Sequence, residues 1–191
     1  MDWLGSALTQ FTQPVLVWLG LLAVLGLWML GAHNRITALR AAILSAWAEV
    51  DQVLTLRAQA LADLLAAAAL PLASEAAALD AVAGAQAQVL LAADALRRSP
   101  VTQDTVADLG KADAVLAAVL VRLLSLVDQQ AALLADAAVQ GPLNVLRELP
   151  PRLLFARQNF NKASYNYNAA ARQFPTRLLG SVLGFGQAGH L

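Results

Sequence analysis

The chain has 191 residues and a formal net charge of +0, with 59% hydrophobic and 14% charged residues and a mean hydropathy of +0.57. That length suits one compact domain, and the composition is more apolar than a soluble domain carries, so part of the chain belongs in lipid. Zero net charge indicates no nucleic-acid partner, and the lack of cysteine excludes disulfides, thiolate metal sites and a cysteine nucleophile.

Residues 14–32 read PVLVWLGLLAVLGLWMLGA, and no Asp, Glu, Lys or Arg lies between Asp2 and Arg35. About 20 apolar residues of helix cross the hydrocarbon of a bilayer, so this run predicts a transmembrane helix. A cleaved signal peptide would need a basic leading region, whereas the N-terminus carries only Asp2. Trp18 and Trp28 suit the two interfaces, and Arg35 and Arg40 flank the distal end. By the positive-inside rule, residues 1–13 lie outside and everything from 33 onward is cytoplasmic, giving a single-pass membrane protein.

Ile36, Leu39, Ile43, Trp47, Val50, Leu54, Leu61, Leu64 and Ala68 hold helical spacing directly after the anchor, with no break before Pro71. One long helix therefore rises from the membrane. Ser74-Glu75 start a second, alanine-rich helix that runs to Ser99-Pro100. Thr102 or Thr105 caps a third, in which Val106, Leu109, Ala112, Leu116, Leu120, Leu123 and Leu126 keep the stripe to about Val139. Gln140-Gly141-Pro142 ends it, and a short helix over 143–149 leads through Pro150-Pro151 into a final helix. The predicted fold is all-α: the transmembrane helix continues into an elongated antiparallel bundle of about four long helices, residues 33–175. Residues 176–191 form an amphipathic, Gly-rich tail.

In the last helix Phe160-Asn161, Tyr167-Asn168 and Phe174-Pro175 recur every seven residues behind Ala156-Arg157. That spacing puts three rings on one stripe, and Pro175 fixes the end. Asparagine is a poor helix residue unless its amide has a partner, so Asn161 and Asn168 are read as satisfying buried polar groups. Arg157 is expected to pair with Asp51 or Glu49, and Trp47 to pack against Phe160 or Tyr167. The pattern, with Asn34-Arg35, Leu39-Arg40, Ala46-Trp47, Val50-Asp51, Leu54 and Arg57 earlier and Val182-Leu183-Gly184-Phe185 later, resembles the LemA family. The resemblance implies a membrane-anchored helical bundle of the same orientation. Relatives carry Ile-Pro-Asn where this chain has Leu61-Ala62-Asp63, and a continuous helix where it has Pro150-Pro151, so bends are expected in different places.

Chemistry finds little support. His33 and His190 stand apart from any base, nucleophile or metal cluster. Asp104 and Asp108 have the one spacing a cation could bridge, but read as a solvated face. Residues 184–189 spell GxGxxG without the strand and helix a dinucleotide site needs, and are taken as a flexible terminus. No enzyme, cofactor or metal is expected. After Glu148 the chain has bases and no acids. In an up-and-down bundle the last helix returns to the membrane, placing Arg172 and Arg177 at headgroups, while Leu178, Leu179, Val182, Leu183 and Phe185 meet lipid, a neighbouring protomer or their own bundle. The leading expectation is a self-associating scaffold that organises or shapes membrane, with the bilayer, further copies and other membrane proteins as partners. The alternative is an adaptor whose bundle binds a membrane protease or signalling enzyme.

Overall fold

The computed structural model describes residues 3–99, 102–173 and 187–191, and side chains from residue 16 onward. Helix α1 spans Trp3–Ala68 without interruption, a rod of about 100 Å at 1.5 Å per residue. Leu61, Leu64 and Ala68 lie on its fully buried side, so it needs no bend where relatives carry proline. It stops before Pro71, and Leu72 drops into the core as the chain turns through a 3-10 segment, Ala73–Glu75. Helix α2 spans Ala76–Arg98 and α3 spans Gln103–Asp128. Thr102 stands at the N-cap of α3 without a side-chain bond. The Thr105 hydroxyl instead donates back to the carbonyls of Ser99 and Thr102, at 3.1 and 3.0 Å, and ties the connection down.

The sequence expectation for the next stretch is corrected in two places. The third helix ends at Asp128 rather than near Val139, because Gln130 and Asp136 adopt extended backbone on either side of the short helix α4, Ala131–Ala135. Burial of Leu133 and Val139 holds this corner, and the Asp136 carboxylate accepts the Ala138 N–H at 2.9 Å to start the next helix. Helix α5 then runs unbroken over Ala137–Arg172, through Pro142, Pro150 and Pro151. Each proline removes one helical N–H. Pro150 and Pro151 face solvent, while Leu143, Leu146, Leu149 and Leu153 keep the opposite side buried, so packing holds the helix where propensity would end it.

The four long helices form an all-α, up-and-down arrangement in which α1 packs chiefly on α5 and α2 chiefly on α3. Contacts between α1 and α5 run in opposite order along the two helices. Arg35 donates to Gln173, Trp47 meets Phe160, and Asn159 donates to Glu49. Helix α5 therefore returns to the level at which α1 enters the bundle. The core is one contiguous apolar cluster from Ile36 to Ala170, extended by Ala188.

The first described side chains of α1, from Leu16 to Leu30, lie outside that core. Leu16, Trp18, Leu22 and Leu27 are 60–70% exposed, and the large apolar side chains between Leu16 and Leu30 are all at least 42% exposed. None of this most apolar window is buried, and it is long and apolar enough to cross a membrane. Helix α2 passes the same test of length and composition, but packs on α3 and buries Val82, Val89 and Leu96.

Trp47 is 5% exposed and meets Phe160 edge to face, with ring centroids 6.4 Å apart and an interplanar angle of 72°. Trp47→Ala is expected to lower the unfolding free energy by about 3–5 kcal/mol in denaturant melts followed by circular dichroism.

Candidate functional site

Three helices meet at a buried group of charges. Asp113 of α3 accepts the Arg57 guanidinium of α1 on one carboxylate oxygen and the Arg157 guanidinium of α5 on the other, the latter at 2.5 Å. The Asp113 and Arg57 side chains are 8% and 10% exposed, and that of Arg157 27%. The stripe explains the placement. Asp113 falls in line with Val106, Leu109, Leu116 and Leu123 on the buried side of α3, as Arg57 does with Val50, Leu54, Leu61 and Leu64 on α1. Both Nε–H groups, of Arg57 and Arg157, are buried without an acceptor.

The triad borders a cavity of about 350 Å³ between α1, α3 and α5. Its other walls are Val53, Ala117, Leu120, Val121, Leu124, Leu146, Leu149, Pro150, Leu153 and Leu154. The chamber is apolar with one charged end.

Arg157 thus pairs with neither Asp51 nor Glu49, correcting the sequence expectation. Those two acids lie on α1 with partners of their own. Asp51 receives Arg97 of α2 through Nε and Nη2, the latter at 2.7 Å, and Glu49 receives the Asn159 amide at 3.0 Å. The bond to Asp51 is the main reason the Arg97 pKa is raised. Arg97 also pairs with Asp94. Asp108 is taken by Lys111, and no cluster of metal-ligating side chains occurs among the described residues.

Phe160 and Tyr167 are fully buried, as the aromatic repeat implies. Burial raises the Tyr167 pKa against a smaller opposing effect of Arg40. The asparagines beside them hold the end of the chain. The Asn168 amide accepts the Ala188 N–H and donates to the Ala188 carbonyl, both at 2.9 Å. Asn161 does the same for Leu191, both at 2.7 Å. Residues 187–191 therefore lie antiparallel along α5 and are not a flexible terminus. On the other side of the strap is α3. A Cβ on Gly189 would sit 2.7 Å from the Val106 Cβ and 3.1 Å from the Gln103 Cα, so only glycine fits.

Arg172 is exposed at the end of α5. Phe174, Pro175, Arg177, Leu178, Leu179, Val182, Leu183 and Phe185 lie outside the described residues. The residue missed in the sequence is Asp113. Its signal was available: an acid standing on an apolar stripe, with arginines beside or on the stripes of two other helices.

The fold and its charged joint define an all-helical bundle carried on a long apolar helix. The family model for the LemA family matches residues 46–191, and the chain belongs to that family. Comparison with curated proteins returns no match.

Removing Asp113 strands two cations in a mostly buried place. Asp113→Asn is expected to cost about 3–5 kcal/mol in urea denaturation. The strap is tested by Asn168→Ala, which leaves the Ala188 N–H and carbonyl without partners. In native-state hydrogen exchange, the Ala188 and Leu191 amides should be protected in the parent and lose at least tenfold protection in the variant.

Proposed function

We propose that the protein is a non-enzymatic, membrane-anchored helical scaffold that self-associates and organises or shapes membrane. The observation that carries this reading is the exposed apolar stretch of α1 from Leu16 to Leu30, joined without a break to the bundle. Hydrocarbon would cover that surface at no polar cost, because a helix satisfies its own backbone. The anchor is residues 14–32, preceded by a short outer N-terminus over 1–13. Arg35 and Arg40 favour an N-out orientation in the bacterial inner membrane, with the bundle of 33–175 in the cytoplasm. Family membership supports the architecture. Self-association is supported by apolar side chains left exposed on the bundle, among them Leu56, Leu154, Phe155 and Tyr165. In this reading Arg172, Arg177 and the apolar residues of the tail over 176–191 meet headgroups or a neighbouring protomer.

A shallow groove between α1 and α5, lined by Gln52, Val53, Pro151, Arg152 and Phe155, favours a second reading. There the bundle is an adaptor for another membrane protein.

Full-length protein in nanodiscs, sized by mass measurement and single-particle imaging, separates the two. The scaffold reading expects a defined multimer that persists on dilution. A monomer at every concentration, with one heterologous partner in crosslinking, would transfer the assignment to the adaptor.

A further inference from the structure

We infer that the cavity between α1, α3 and α5 is a binding site for a single-chain amphiphile with a monoanionic carboxylate head, of medium chain length. Of the residues lining it, Arg57, Asp113 and Arg157 are the ionisable ones. Two guanidinium charges face one carboxylate charge, so the charged end carries one positive charge in excess. Arginine offers five N–H donors, and each of these two reaches Asp113 through Nη2 alone. A buried cation without a counter-charge is costly, and a carboxylate placed beside the two guanidiniums would return the missing charge. A phosphate monoester, with up to two charges, would overshoot it.

The remaining walls say what the head is attached to. They are leucine, valine, alanine and proline, with no other hydrogen-bonding side chain. A polar ligand body would be desolvated there without compensation. Arg57 and Asp113 are buried, whereas the wall residues Val121 and Leu154 are 67% and 58% exposed, so the cavity has a charged interior and opens to solvent beside apolar side chains. A volume of about 350 Å³ accommodates about twelve non-hydrogen atoms at roughly 30 Å³ each, the size of decanoate. It falls at the small end of the range for ligand pockets. The inference does not rest on the scaffold reading, since the cavity lies wholly within the bundle.

The probe is decanoate, titrated calorimetrically into full-length protein in zwitterionic nanodiscs, with empty nanodiscs as the blank. Saturable one-to-one binding is expected, at least tenfold tighter than that of 1-decanol, which has the same chain and no charge. Arg157→Gln should weaken decanoate at least tenfold and leave decanol unchanged. Ala117→Phe, one turn from Asp113 on α3, adds bulk at the cavity wall without removing a charge, and should abolish binding of both, so the site remains testable if the arginine variant does not fold. Equal affinity for decanoate and decanol, uptake no greater than into empty nanodiscs, or unchanged decanoate binding by Ala117→Phe would each overturn the inference.

Discussion

The Asp113 carboxylate, shared by Arg57 and Arg157, is the joint on which the arrangement of the bundle depends. Helices α1 and α5 form one antiparallel pair and α2 and α3 another, and Asp113 draws α3 onto both members of the first pair. Such a group is a poor source of net stability, because desolvating three charges consumes most of what their attraction returns. Its effect is on register. The faces of α2 and α3 are rich in alanine, leucine and valine, and such stripes repeat nearly unchanged after one turn, about 5.4 Å. A slip of one turn would set Asp113 against leucine and leave both arginines without it. The outer pair Arg97 and Asp51 is more exposed and correspondingly weaker, but fixes α2 against α1 in the same register.

How far this was legible in the sequence depends on whether the signal lay in one helix or between several. Periodicity within single segments pointed to the long α1 and the buried Phe160 and Tyr167, and left Trp47 to pack on either ring, of which it meets Phe160. It failed at α4, where the apolar run through Leu133 and Val139 is also compatible with a continuous helix. It failed at the three prolines of α5, where burial of the leucines outweighs the lost N–H bonds. The partner of Arg157 differs from the expectation because acids occur on α1, α2 and α3 alike, and spacing within one helix does not say which of them faces α5. An acid at a core position of α3 was the better guide, since a buried carboxylate requires a cation.

The strap shows a different limit. Asn161 and Asn168 are seven residues apart on a helix, about 10.5 Å of rise, and Leu191 and Ala188 are three apart in extended chain, about 10–11 Å. The two spacings coincide, so a heptad pair of amides can hold an extended backbone at both points. What the amides bind is main chain, which leaves no side-chain signature for a sequence reading to match. The requirement for an amide partner was legible; the identity of the partner was not. Gly189 carries the remaining trace, because Val106 and the start of α3 leave no room for a Cβ.

These constraints act on one continuous rod. Helix α1 passes from its exposed apolar portion into the bundle as one uninterrupted helix, through Gly31, so the two parts share one axis. Residues 31–68 carry the bundle along about 57 Å of helix at 1.5 Å per residue. At the near end, Arg35 reaches Gln173 at 3.3 Å, so the last described turn of α5 closes beside the point where α1 enters the bundle. At the far end, Leu72 and the 3-10 turn reverse the chain. The cavity lies between these ends, bounded by three helices that Asp113 holds together. A ligand that neutralised the excess charge there would stiffen the joint between the two helix pairs, and α1 would carry that change along its length.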